Sequence, residues 1–277
     1  MISAVDFESV SRFLKLHSGL ILGVDKQYLL ESRLLPLLRK FELADFARLA
    51  AIVREQPSGL IAEAVLEAMT TNESLFFRDK SPFEHFTKIM LPKLNATRGP
   101  GDALRIWCAA ASTGQEPYSI AMTLLENPHL TGGRRVEIIG TDLSSEVLER
   151  ARSGRYTQFE VQRGMPVQLL LKYFEKDGDN WQVKPKLRSM VDYRKLNLLH
   201  NFSNLGVFDI VFCRNVLIYF DAATKRDILG RIARVTRPDG YLLLGGAETV
   251  LGISDAFRSV ASQTGYYVPN VPAMAGA

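Results

Sequence analysis

The sequence predicts an α/β fold. A doubly wound, mostly parallel sheet carries a small inserted antiparallel β subdomain, and an all-helical N-terminal domain precedes it. Three observations carry this reading. Strand-length apolar runs at about 104–110, 136–142 and 208–215 alternate with helical patterns, the rhythm of a parallel sheet with crossover helices. The run Leu104-Arg-Ile-Trp-Cys-Ala-Ala-Ala-Ser-Thr-Gly-Gln-Glu-Pro-Tyr118 reads as strand, tight small-residue loop and helix start; Val136-Glu-Ile-Ile-Gly-Thr-Asp142 reads as a second strand ending in an acid. Residues 6–70 show helical spacing and no strand signal.

In chain order, Phe7, Val10, Phe13, Leu14 and Leu16 fall largely at helical spacing. Asp25 stands where it would cap a second helix, Lys26 to Phe41, striped by Leu29, Leu30, Leu34, Leu37 and Leu38. Pro36 inside that stripe predicts a kink or break, because proline removes an i→i−4 hydrogen bond. Further helices cover roughly 44–54, 58–69 (Ile61, Val65 and Met69 on one stripe) and Pro82 to Leu94. The turn Arg98-Gly-Pro-Gly-Asp102 leads into the α/β part. Ser144 caps a helix to about Ser153 with Glu146 in its first turn. Residues 170–197 break the rhythm: Asp177-Gly-Asp-Asn180 signals a hairpin, and Val183, Leu187, Val191 and Tyr193 interleave with charge as in exposed ribbons. Phe208–Asn215 is a strand, and Asp221 caps a helix through Ile228, Leu229, Ile232 and Val235. Pro238-Asp-Gly240 turns into a strand at Tyr241–Gly245, and Gly265–Pro269 makes a last edge strand. Asn270–Ala277 reads as a disordered tail. The expected organisation is a helical domain at 1–70, a linker and connecting helix at 71–95, and an α/β domain at 96–277 with the insertion at about 170–197.

Composition narrows the function classes. With 47% hydrophobic and 23% charged residues the chain has the make-up of a soluble globular protein. No apolar run approaches the roughly 20 residues that span a bilayer. The N-terminus has no basic n-region, so no secretory signal is expected. Cys108 and Cys213 each sit in an apolar strand pattern without metal spacing; buried thiols in a reducing cytoplasm are the expectation. A net charge of +4 with no basic run of five argues against a nucleic-acid partner.

The loop Ala111-Ser-Thr-Gly-Gln-Glu116 has one glycine and an acid opening its helix. A helix start that faced a pyrophosphate would not carry an anion there. A cationic nucleoside fits better, and S-adenosylmethionine is one, with a ribose diol, a sulfonium and an ammonium. Asp142, 28 residues past Gly114, is placed to reach the diol. Glu116 and Asp142 could instead ligate magnesium, but that ion wants more oxygen donors and usually a phosphate substrate, so no metal is expected. Asn72, Ser74 and Arg78 lie in a polar segment at the domain junction, which also reads as a capped linker with Phe76 and Phe77 in the core. Arg214 and Tyr219 lie just past a strand's C-terminal end, where open α/β sheets place ligands; a salt-bridge arginine and a core tyrosine are the alternative. Leu196-Asn197-Leu198 sets a polar residue between apolar ones before a loop. The four histidines, His17, His85, His129 and His200, lie outside these groups, which speaks against a hydrolase.

Together these segments resemble the CheR-type chemotaxis receptor glutamate methyltransferases. The matching stretches are Thr71-Asn-Glu-Ser-Leu-Phe-Phe-Arg78, Cys108-Ala-Ala-Ala-Ser-Thr-Gly-Gln-Glu-Pro-Tyr-Ser119, Gly140-Thr-Asp-Leu143, Cys213-Arg-Asn-Val-Leu-Ile-Tyr-Phe220 and Gly240-Tyr-Leu-Leu-Leu-Gly245. Order and spacing fit from about residue 7 to 268. The resemblance implies a Rossmann-like S-adenosylmethionine-dependent methyltransferase domain, with S-adenosylhomocysteine as product and glutamates on bacterial chemoreceptors as substrate. It further implies that Asn72, Ser74 and Arg78 touch the cofactor from the linker, Glu116 meets its methionine end and Asp142 its ribose. Asn197 and Leu198 would lie on the adenine side, Arg214 and Asn215 nearby, with Arg78 and Tyr219 beside the reacting carboxylate. Serine at 74 replaces the threonine of many relatives and keeps the hydroxyl. The hairpin tip Glu175–Val183 is about two residues shorter than in relatives that bind a receptor's C-terminal pentapeptide, so tail-independent recognition is expected.

A glutamate nucleophile with a pKa near 4.3 is over ~99% ionised at pH 7 and needs no general base, in keeping with the missing histidine. Alignment and water exclusion are then the enzyme's work. The partner expected is the cytoplasmic helical part of a methyl-accepting receptor, met by a monomer without membrane insertion. Lys26, Arg33, Arg39 and Lys40 against Glu31 give the 26–41 helix a basic bias suited to an acidic helix.

Overall fold

Ser3 opens the first helix by accepting a hydrogen bond from the backbone N–H of Asp6, and Gly19 closes it in the left-handed region at φ 78°. The structure is a computed structural model that describes residues 1–99, 101–260 and 265–270. Of the expected tail only Asn270 falls within the described residues. The N-terminal helices are α1 (Ala4–Ser18), α2 (Gln27–Lys40), α3 (Phe46–Glu55) and α4 (Leu60–Met69). They share one core that includes Phe7, Val10, Leu14, Leu30, Leu34, Leu49, Val65 and Met69. Burying each such side chain favours the fold by about 1.5–3 kcal/mol.

Two expectations fail in α2. The helix runs unbroken through Pro36. The proline is exposed, so the carbonyl it deprives of a partner faces water, while buried Leu30, Leu34 and Leu38 hold the opposite stripe. Asp25 does not cap α2; it sits inside a preceding 3-10 turn, Val24–Lys26, and pairs with Lys26 at 3.3 Å.

The connecting helix comes as α5 (Lys80–His85), a π-turn (Phe86–Met90) and α6 (Leu91–Thr97). Pro92 has no N–H for the carbonyl one turn back, and the wider turn absorbs that mismatch. The remaining elements are β1 (Leu104–Cys108), α7 (Gln115–Glu126), β2 (Val136–Asp142), α8 (Ser145–Ser153), β3 (Arg155–Thr157), α9 (Gln158–Gln162), α10 (Val167–Tyr173), β4 (Phe174–Asp177), β5 (Asn180–Val183), α11 (Pro185–Arg188), β6 (Val191–Lys195), β7 (Phe208–Cys213), α12 (Ala222–Arg234), β8 (Thr236–Leu244), β9 (Phe257–Ser259) and β10 (Tyr266–Pro269).

The main sheet has the order β6-β2-β1-β7-β8-β10-β9. Its first five strands are parallel; β10 and β9 join antiparallel. One apolar cluster covers each face. From β1 the chain crosses to β2 on one side and later returns to β7 on the other. The crevice between the C-terminal ends of β1 and β7 is thus a topological switch point, where open α/β sheets bind ligands.

Four strand readings need correction. Val191–Lys195 is not part of an inserted ribbon; it pairs in parallel with β2 as an edge of the main sheet. Its charges are those of a solvated edge, while Tyr193 turns inward over Gly140, where a Cβ would come within 2.8 Å of the ring. The small sheet, β3-β5-β4, starts at Arg155 rather than near 170, around the expected hairpin at Gly178 and Asp179. β10 is an inner strand, flanked by β9 at the edge. Pro238–Gly240 lies inside β8 as a bulge, with the register slipping between Phe208 and Ile210.

Candidate cofactor site

A cavity opens at the C-terminal ends of β1, β2 and β7. Leu66, Met69 and the linker from Thr70 to Arg78 roof it. Every residue singled out by the sequence lines it: Asn72, Ser74, Arg78, Glu116, Asp142, Asn197, Leu198, Arg214, Asn215 and Tyr219.

Asp142 ends β2 and is 8% exposed. One carboxylate oxygen accepts from the Ser112 N–H at 2.9 Å, the other from the Ser144 N–H at 3.1 Å. Burial pushes its pKa up, and these backbone N–H groups pull against that. Ser112 holds a strained φ of 50°, and its hydroxyl donates to the Asn72 carbonyl at 2.8 Å, tying linker to loop. Gly114 starts α7 at φ 94°; a Cβ there would lie 2.7 Å from the Tyr193 hydroxyl.

Glu116 stands in the first turn of α7 with its side chain 12% exposed. It accepts from Arg214 Nη1 at 2.6 Å. Arg214 Nη2 reaches the Asp79 carboxylate and the Arg78 carbonyl, each at 2.8 Å. Burial raises the Glu116 pKa, and the adjacent Arg214 charge holds it back. The salt-bridge reading of Arg214 and the pocket reading are therefore both true of its position. Asn197 donates to the His17 carbonyl at 2.7 Å and accepts from the Leu199 N–H at 2.9 Å, so it stitches the end of α1 to the cavity wall. Tyr219 ends a 3-10 turn, and its carbonyl accepts from the Ile21 N–H at 3.2 Å.

Sequence reasoning missed Glu248. Its carboxylate accepts from the N–H groups of Asn215 (2.7 Å), Val216 (2.9 Å), Ile218 (3.2 Å) and Gly245 (2.7 Å). The available signal was an acid just beyond the β8 C-terminus. Among the described residues no cluster of His, Cys, Asp and Glu could hold a metal ion. None of their helices is long and apolar enough to cross a membrane.

Buried Asp142, which has no ion-pair partner among the described residues, and half-buried Glu116 face a cavity also lined by apolar residues such as Leu198. A pyrophosphate would meet anions there; a ligand with a diol and a positive charge would meet acceptors. The donor set fits S-adenosylmethionine. Fold and site define an S-adenosylmethionine-dependent methyltransferase. The chain belongs to the CheR methyltransferase family: the SAM binding domain of that family matches residues 72–266 and its all-alpha domain residues 5–70. It is 42% identical over 265 residues to chemotaxis protein methyltransferase Cher2 of Pseudomonas putida, covering 94% of this chain and 96% of that one. It is 44% identical over 264 residues to chemotaxis protein methyltransferase 1 of Pseudomonas aeruginosa, with the same coverage. To the chemotaxis protein methyltransferase of Salmonella typhimurium it is 35% identical over 269 residues, 96% of this chain and 90% of that one.

Proposed function

We propose that this enzyme methylates glutamate side chains on the cytoplasmic helices of chemoreceptors. One observation carries the reading: Arg78 and Tyr219 share a cavity with the Glu116–Arg214 pair, and no histidine lines it. When bound, S-adenosylmethionine supplies a methyl group activated by its sulfonium. An ionised glutamate needs no proton removed, so the protein supplies alignment and water exclusion, worth up to roughly 7–11 kcal/mol in ideal cases. Asp142 holds the ribose, Asn197 and Leu198 the adenine side, and Asn72 and Ser74 close from the linker. Glu116 meets the ammonium end, with Arg214 and Asn215 fixing its surroundings. Arg78 and Tyr219 orient the substrate carboxylate without protonating it. Segments 1–70, 71–95 and 96–277 act as substrate-docking domain, linker and methyltransferase domain.

The exposed basic side chains Arg39 and Lys40 support docking of an acidic helix on α2, whereas Lys26 stands in the turn before it, paired with Asp25. Arg33 drops out of that surface: it donates to the Met69 carbonyl at 2.8 Å, the Thr70 carbonyl at 3.0 Å and the Thr71 hydroxyl at 3.1 Å. The two-residue tip at Gly178 and Asp179 supports recognition without a receptor tail peptide. The enzyme works as a cytoplasmic monomer. The test is methyl transfer from labelled S-adenosylmethionine to a receptor cytoplasmic fragment, followed by mild base. Counts released as methanol identify a glutamate methyl ester; base-stable counts would refute the reading.

A further inference from the structure

The loop after β7 carries five cavity residues, Arg214, Asn215, Val216, Tyr219 and Phe220, yet has little regular structure of its own. Asn215 sits at φ 58°, unusual for a residue with a side chain. Val216 follows at φ −125° and ψ −36°. This succession turns the N–H groups of Asn215, Val216 and Ile218 toward one point, a concavity of the kind that holds anions. The anion is Glu248, from the loop after β8.

The carboxylate is saturated. One oxygen accepts from Val216 and Ile218, the other from Asn215 and Gly245. A carboxylate offers about four acceptor sites and no donor, so four backbone donors use all of it. Gly245 completes the joint from the strand side: a Cβ there would lie 2.6 Å from Asn215 Nδ2 and 2.8 Å from Glu248 Oε2.

We infer that Glu248 is a positioning residue for methyl transfer, fixing the Asn215–Tyr219 loop so that Arg214 and Tyr219 stand correctly at the reacting end of the cavity. This rests on the proposed reaction. Glutamine has nearly the same shape, but its amide nitrogen would confront two N–H donors, so Glu248→Gln breaks about half the joint without removing bulk. Misplacement by about 1 Å at a reacting centre can lower turnover about 100-fold. The expected result for Glu248→Gln is that loss in kcat at saturating cofactor and receptor fragment, with cofactor Kd weakened by a smaller factor, because Arg214 and Asn215 also border the cofactor.

Hydrogen exchange across residues 214–220, read in the same protein without substrate, should rise. Gly245→Ala should give the same pattern and decides the matter if the glutamine variant does not fold. Unchanged kcat with a lowered Tm would make Glu248 a purely structural residue and overturn the assignment. Weakened cofactor binding with kcat unchanged at saturation would overturn it too. Should wild type transfer no methyl group, the substrate reading fails instead; loop exchange then decides for Glu248, and no increase in the variant refutes it.

Discussion

Arg214 and Glu116 form a largely buried ion pair at 2.6 Å across the switch point, joining the loop after β7 to the first turn of α7. Their side chains are 2% and 12% exposed, so neither charge has much water to fall back on. Removing one partner of such a pair leaves the other stranded, at about 3–5 kcal/mol.

Arg214→Met should therefore lower stability by an amount of that order and also change the activity profile. Burial alone raises the Glu116 pKa, and Arg214 opposes the rise. Without the arginine Glu116 titrates higher, so the acid limb of kcat/KM should move to higher pH. An acid limb at its wild-type position would separate Glu116 ionisation from catalysis.

Arg78→Ala should lose about 100-fold in turnover, because it removes an orienting charge. Tyr219→Phe should lose about tenfold, the scale of one hydrogen bond. Steady-state transfer assays at saturating cofactor read both; wild-type turnover in either variant removes that residue from the site.

Arg33 and Arg39 lie on one helix and should behave oppositely. Arg33→Ala removes donors from the C-terminal carbonyls of α4 and should lower stability by about 1–3 kcal/mol. Arg39→Glu, on an exposed position, should leave Tm and cofactor Kd alone and raise KM for the receptor fragment. An unchanged KM would refute docking on α2.

Asp221 caps α12 and pairs with Lys15 of α1 at 3.1 Å. The Thr224 backbone N–H, first, and then its hydroxyl and Lys15 hold the Asp221 pKa at about 2, below the usual 3.8. A depressed folded-state value gives stability that is present above the unfolded pKa and lost as pH falls through the folded one. The Tm gap between wild type and Asp221→Ala should be full above about pH 4 and should close near pH 2. A gap constant across that window would locate the effect in packing instead.

Local chemistry made much of this molecule readable. Ser144 and Asp221 cap their helices as their sequence neighbours imply, because a cap is a contact within three residues. The β1-loop-α7-β2 run is equally local, and it placed Glu116 and Asp142 at one cavity. What could not be read depends on distant partners. β6 looks like an exposed ribbon until β2 pairs with it, about fifty residues back in the chain. Asp25 matches a cap in sequence, but the chain enters α2 through a tighter turn. Glu248 shows in the sequence only as an acid beyond a strand end; its role is hidden because its four partners are backbone groups, which every residue type offers.

The cavity has a divided parentage. Ser18, Leu20, Leu66 and Met69 from the helical region and Asp142, Leu198 and Arg214 from the α/β region line the same space. The Ser145 N–H donates to Glu67 at 2.7 Å and Asn197 to the His17 carbonyl across that seam. A helical module grafted from a distant relative would bring a foreign wall to the cofactor chamber along with any new docking surface. Specificity for a new partner and grip on the methyl donor therefore cannot be exchanged as separate parts; they have to be inherited as one unit.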